Sequence, residues 1–178
     1  MLLKRNILIT GLPGVGKTTL IKKIAEELKA SHPVGFFTTE IREAGFRKGF
    51  ELVSLDGRSG ILSHTDIKSP YRVGKYRVDL KGFEYYLDST PFLDPSTTII
   101  IIDEIGKMEC LSLKFKKLIE AILNSEKLVL ATIALKGSGL IEEIKRRRDI
   151  KLFEMTHDNR DSLPLEILKE TKTISKNF

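Results

Sequence analysis

Gly11-Leu12-Pro13-Gly14-Val15-Gly16-Lys17-Thr18 combines flexible backbone, one cation and one hydroxyl within eight residues. The spacing is G-x-x-x-x-G-K-[ST], and its chemistry is the binding of a polyphosphate. Several negative charges need many donors at close range with no side chains in the way. Gly14 and Gly16 can take positive φ, so successive backbone N–H groups can point into one concave nest. A helix beginning at Thr18 would aim its positive end at the same point. Lys17 adds a mobile charge for the β- and γ-phosphates and a catalytic role, and Thr18 offers a hydroxyl to Mg²⁺. The candidate nucleotide-binding set is therefore Gly11, Leu12, Pro13, Gly14, Val15, Gly16, Lys17, Thr18 and Thr19. A chain of this length would match the pattern by chance about 0.006 times. The apolar run Ile7-Leu8-Ile9 before it and the helical pattern after it supply the context the chemistry needs.

A second constellation follows the run Ile99-Ile100-Ile101-Ile102, where Asp103 and Glu104 stand side by side. Two acids at the end of a buried strand form a Walker B element. Asp103 is the candidate metal residue with Thr18, and Glu104 the candidate catalytic group that polarises water for attack on a γ-phosphate. Charge developing on the transferred phosphoryl calls for another cation, and Arg146, Arg147, Arg148 and Arg160 are the candidates. The arginine triplet also suits a helix C-terminus, where cations are favoured for local reasons. Thr132 interrupts the apolar run Leu128–Ile133. It is either a γ-phosphate or water sensor, if its strand lies between those of the loop and Asp103, or an ordinary β-branched strand residue.

Strand-like and helix-like segments alternate, which predicts an α/β fold with a mostly parallel sheet covered by helices. Strands are expected near Lys4–Thr10, Thr97–Ile102, Lys127–Ile133 and Lys151–Met155. Helical faces are formed by Leu20, Ile21, Ile24, Ala25 and Leu28, and by Leu111, Phe115, Leu118, Ile119 and Ile122. Further helices are expected over Gly139–Arg148 and Pro164–Ile174. Residues 33–79 read as antiparallel hairpins, with strands at Val34–Ile41, Phe46–Leu55, Ile61–Thr65 and Gly74–Asp79, inserted to extend the sheet edge. The expectation is one P-loop domain over residues 1–178, fraying from Lys172 to Phe178.

With 178 residues, 41% hydrophobic and 30% charged, the chain can build its own core. Lys and Arg number 30 against 24 Asp and Glu, a net charge of +6 that suits anionic partners. Nucleotides satisfy it. The densest basic cluster, Lys145–Arg148, lacks interleaved aromatics, so nucleic acid is not the favoured partner, and no protein partner can be named. Cys110 is alone and His32, His64 and His157 are scattered, which disfavours a disulfide framework or a protein-only metal site. No apolar run of about 20 residues is present and the first strand begins almost at Met1, so a cytoplasmic protein without membrane association is expected.

The chain resembles the thermophilic nucleoside-triphosphate phosphatase family, known in animals as cancer-related nucleoside-triphosphatase. The resemblance is carried by the phosphate loop, Gly35–Glu40 with Arg42, Gly45–Phe50, Asp103-Glu104-Ile105-Gly106-Lys107-Met108-Glu109, Thr156–Arg160 and Leu163-Pro164. It implies a RecA-like P-loop NTPase fold and Mg²⁺-dependent hydrolysis of ATP, GTP and other nucleoside triphosphates to diphosphate and phosphate. By the same resemblance Gly14–Thr19 hold phosphates, Asp103 supports the metal, Glu104 is the base, and Asn159 and Arg160 approach the base or ribose, although Asn-Arg also suits a simple turn. Two other functions fit the loop: a nucleotide or small-molecule kinase with Lys145–Arg148 as a basic lid, and a regulatory NTPase linked to nucleic acid.

Overall fold

The computed structural model describes Arg5–Ser175; Lys4 of the first expected strand and Lys176–Phe178 of the expected fraying tail lie outside the described residues. The elements run β1 (Asn6–Gly11), α1 (Lys17–Glu27), β2 (Val34–Glu43), β3 (Phe46–Ser54), β4 (Ser59–His64), β5 (Arg72–Val73), β6 (Tyr76–Val78) and α2 (Leu80–Asp88). They continue with β7 (Ile99–Ile105), α3 (Leu113–Leu123), β8 (Leu128–Ile133), α4 (Leu140–Lys145), β9 (Ile150–Met155) and α5 (Leu163–Ser175). The nine strands form one sheet in the order β5-β6-β4-β3-β2-β7-β8-β1-β9. From β2 to β9 the pairing is parallel, so these five strands end at a common edge.

Period-two alternation sorts the apolar runs between two cores. Leu8, Ile100, Ile102, Val129 and Ala131 face one core with Phe83, Phe115, Ile119 and Ile141 of α2, α3 and α4. Ile7, Ile9, Ile99, Ile101, Leu128 and Leu130 face the other, with Leu20, Ile21 and Ile24 of α1 and Leu163 and Ile167 of α5. Continuous apolar strands are what a sheet covered on both faces requires. The same parity has a functional consequence. Asp103 follows Ile99 and Ile101, and Thr132 follows Leu128 and Leu130, so both belong on the α1 face.

Three element expectations are corrected. The segment beginning at Val34 is not merely the first arm of a hairpin, because Val34, Gly35 and Phe36 pair in parallel with Ile100, Ile101 and Ile102, while residues 36–43 pair antiparallel with β3. The antiparallel extension therefore begins at β3, and β2 belongs to both parts. The helix expected from Leu111 starts two residues later, since Glu109–Leu111 form a 3-10 turn and Ser112 caps α3 by accepting the Phe115 N–H at 3.0 Å. The helix expected over Gly139–Arg148 stops at Lys145. Arg147 is drawn away to Asp149, Asn124 Oδ1 and the Leu123 carbonyl, which anchors the turn into β9.

The helix α2 lies where no helical pattern marks the sequence. α2 is capped by Asp79, whose carboxylate accepts the Gly82 N–H, and it buries Phe83, Tyr86 and Leu87. Gly82 in its first turn masks the helical pattern, yet a side chain there would collide with the capping carboxylate. Among the described residues, no helix is long and apolar enough to cross a membrane.

The β2–β7 junction depends on Gly35, with φ +152° and no room for a Cβ, which would overlap the Ile101 carbonyl. Gly35→Ala is therefore expected to lower the unfolding free energy by about 3 kcal/mol, read from urea denaturation.

Candidate active site

The loop from Gly11 to Lys17 joins the end of β1 to the start of α1, at the carboxyl edge of the parallel strands. Val15 is buried and pins the loop, while Leu12, Pro13 and Gly14 face solvent. Gly14 has φ +78° and Gly16 φ +110°, the left-handed values that let the amides converge. Gly16 caps α1 without a side-chain bond, which leaves the first-turn N–H groups of Lys17, Thr18 and Thr19 to a ligand. Lys17 arches back and donates to the carbonyls of Gly11 and Leu12, each at 2.9 Å. Burial pulls its ammonium below the usual lysine range, and the charges of Glu104 and Asp103 oppose that shift. Lys17 and both acids thus share one electrostatic environment.

Asp103 is 2% exposed and is held by neutral donors from three segments. Thr132 of β8 donates its hydroxyl at 2.9 Å, and the Thr38 N–H of β2 reaches the other carboxylate oxygen at 3.3 Å. Thr18 supplies another hydroxyl. Thr38 Oγ1 also donates to the Asp103 carbonyl at 2.8 Å, fixing the backbone. Burial pushes the carboxyl pKa up, and these donors pull against it. A buried carboxylate bonded to hydroxyls and an amide still favours a cation, and hard oxygen donors suit Mg²⁺.

Glu104 is arranged differently. Its φ is +88°, outside the range preferred by a residue with a side chain, and the β7–β8 register shifts between Ile102 and Ile105. This bulge interrupts the alternation and turns Glu104 outward, solvent-exposed yet closely surrounded by protein. Such a backbone costs about 1–3 kcal/mol and is retained only where the surroundings enforce it. Desolvation first, and Asp103 second, raise the Glu104 pKa, while Lys17 lowers it. The arrangement yields a carboxylate of raised basicity beside a cation-seeking acid.

The other sequence candidates separate by edge. Arg146, Arg147 and Arg148 lie between α4 and the start of β9, where Ile150 pairs with Asn6, the first residue of β1. Six residues of strand β1, about 17 Å, separate that edge from the phosphate loop. The expectation that one of them reaches the phosphates is corrected, as is the idea of Lys145–Arg148 as a lid. Lys145 is held by the Leu135 carbonyl and Glu142. Arg160 follows β9 and stands on the loop's edge, half exposed, 3.7 Å from Asp161. Asn159 accepts the Thr156 N–H and donates to the Glu154 carbonyl, so its amide closes a turn. Thr132 lies between the two motif strands as the sensor reading required, but its hydroxyl serves Asp103.

Sequence reasoning assigned no role to Thr38 or Glu109. Thr38 carried a signal as the first polar residue after the apolar start of β2. Glu109 is 3% exposed, an acid whose burial no local pattern announces.

Comparison with known proteins agrees with this geometry. The model of the NTPase family matches residues 6–168. The chain belongs to that family. It is 52% identical to the nucleoside-triphosphatase THEP1 of Thermotoga sp. (strain RQ2), over 94% of this chain and 95% of that protein. The solution structure of a human cancer-related nucleoside triphosphatase superposes with TM-score 0.80 at 40% identity, covering 93% of this chain and 96% of that one. The crystal structure of THEP1 from Aquifex aeolicus gives TM-score 0.79 at 38% identity, covering 92% and 97%. The RecA-like P-loop architecture is thus common to this NTPase chain and its relatives.

Thr132→Val removes one bond to Asp103 at nearly constant volume. With Asp103 as the metal residue proposed below, the Mg²⁺ concentration needed for half-maximal phosphate release is expected to rise about tenfold. Glu109 provides a test of the local electrostatics. Burial, then the Glu104 charge, then that of Asp103, push its carboxyl well above the ordinary 4.5. The folded protein keeps this proton where the unfolded chain releases it, so its contribution to stability is full below the unfolded value. That contribution falls by up to about 1.4 kcal/mol per pH unit as pH rises toward the folded value. The stability of Glu109→Gln relative to the parent is therefore expected to increase from about pH 5 upward in urea titrations.

Proposed function

We propose that this NTPase hydrolyses ATP, GTP and other nucleoside triphosphates to diphosphate and phosphate, with Mg²⁺ held by Thr18 and Asp103. As a member of the nucleoside-triphosphatase family it is a hydrolase acting on phosphoanhydrides. The observation that carries the finer reading is the convergence of Lys17, Asp103 and Glu104 at one sheet edge, with Glu104 turned out by a strained backbone. The bound metal would neutralise charge on the β- and γ-phosphate oxygens.

The amides of the loop and the first turn of α1 grip the phosphate tail, and Lys17 exchanges its carbonyl partners for phosphate oxygens. Thr132 and Thr38 keep Asp103 in one orientation, so little reorganisation accompanies the approach of charge. Glu104 takes a proton from water as the water oxygen bonds to the γ-phosphorus and the bond to the leaving diphosphate breaks. The residues of the loop that touch phosphate do so largely through backbone, which is indifferent to the base and supports broad nucleotide use.

The kinase alternative loses its proposed lid, because Arg146–Arg148 lie at the opposite edge and Lys145 is tied to the Leu135 carbonyl and Glu142. Purified protein with Mg²⁺ is expected to release phosphate from ATP and GTP without an organic acceptor. Lys17→Ala and Glu104→Gln should each lower kcat by at least about 100-fold, and Glu104→Gln should still bind nucleotide. Full turnover in Glu104→Gln would overturn the base assignment, and a labelled phosphoryl product other than phosphate would favour the kinase.

A further inference from the structure

Glu109 takes no part in the hydrolytic scheme above, yet it is the acid packed next to the proposed base. It sits in the short 3-10 turn that follows β7, fully covered by protein. The backbone N–H groups of Gly106 and of Glu109 itself face its oxygens. Between the two acids lies Gly106, and the absence of a side chain there is what lets them meet. A Cβ on Gly106 would stand 2.9 Å from Glu104 Cγ, 2.9 Å from Glu104 Oε1 and 2.9 Å from Glu109 Oε2. The two carboxyl oxygens are therefore separated by no more than twice that distance, across a bare α-carbon.

Two carboxylates cannot both stay ionised at this range when one of them is cut off from water. Glu104 opens to solvent and has Lys17 to favour its charge, whereas Glu109 has no ion-paired cation among the described residues and takes its favourable contacts from backbone amides. Full burial beside another carboxyl, across a bare Gly106, favours the neutral form of Glu109. A neutral carboxyl has both an acceptor oxygen and a donor O–H, which matches its two neighbours: the Gly106 N–H on one side and the Glu104 carboxylate on the other. Cys110, whose thiol is pushed up to about 11, adds no competing charge.

We propose that Glu109 is a positioning residue for catalysis: it accepts the Gly106 N–H, donates its own proton to the Glu104 carboxylate, and so holds the base and its strained backbone in the orientation that meets the attacking water. This role rests on the reading of Glu104 as the base. No proton leaves Glu109 during turnover; the proton of the water goes to Glu104. The bulge at Asp103–Glu104 then has a partner that keeps it in place, since Glu109 grips the amide two residues beyond the strained position.

The test compares Glu109→Leu, which removes donor and acceptor at similar volume, with Glu109→Gln, which retains both. Phosphate release at saturating Mg²⁺ and ATP, binding of a fluorescent ADP analogue, and thermal melting are measured on each. Glu109→Leu is expected to lower kcat about 10- to 100-fold with KM and ADP affinity unchanged. Glu109→Gln should restore kcat to within about threefold of the parent, and Glu104→Gln/Glu109→Leu should be no slower than Glu104→Gln alone. ADP binding by Glu109→Leu certifies its fold; should that variant not fold, Glu109→Met replaces it.

A Glu109→Leu enzyme with the parent kcat overturns the positioning role while leaving the base assignment intact, provided Glu104→Gln is inactive. Equal loss in the Leu and Gln variants with weakened ADP binding overturns it as well, since the acid then serves only the fold. Full activity of Glu104→Gln overturns both readings, whatever Glu109→Leu does.

Discussion

The structure is organised around a carboxylate withdrawn from water at the end of a buried strand. Asp103 has so little access to solvent that its charge must be supported by whatever the protein places against it. Its hydrogen-bond donors are neutral, threonine hydroxyls and one amide drawn from β8, β2 and the start of α1, and the charge of Lys22 acts on it without an ion pair among the described residues. Neutral donors orient the group without cancelling its charge. The acid therefore remains a place where a cation gains energy, which a lysine or arginine salt bridge would have abolished. The sheet order serves this end, because β7 must lie between β2 and β8 for both threonines to reach it.

The neighbouring residue obeys the opposite rule. Glu104 departs from the strand by a bulge and a positive φ, and it reaches solvent at a cost in backbone energy. One strand end thus delivers two acids with different environments: one locked among hydroxyls, the other open to solvent and raised in basicity. Adjacent carboxylates with divergent surroundings can divide their duties, the first holding a metal and the second handling a proton. The turn that follows, from Gly106 to Glu109, closes over the same strand end.

Charge elsewhere is largely architectural. Arg147 ties the end of α3 to the start of β9 through Asn124, Asp149 and a carbonyl. Where β2 extends beyond β7, Glu40 joins Arg42 and Arg47, and Arg47 donates to the Tyr76 hydroxyl at 2.8 Å, so the overhanging strands are laced from β2 to β6. These pairs are partly exposed and contribute modestly one by one. Their effect is to fix the shape of an extension that presents Thr38 to the site.

Local chemistry determined the phosphate loop, because positive φ at Gly14 and Gly16 and a helix opening at Lys17 depend on residues a few positions apart. It also determined the buried Ile99–Ile102 strand and the placement of two acids at its end. Tertiary structure alone decided which neighbours those acids would have. Thr132 and Thr38 are 29 and 65 residues from Asp103, and only strand order brings them to its oxygens. Neither the period of an apolar run nor the type of a residue specifies which strand lies beside which. The arginine triplet shows the converse: its composition suited phosphate, but its attachment before β9 put it on the far edge. Burial of Glu109 likewise follows from how the turn packs after β7, because an acid in a short polar turn carries no periodic signal of its own.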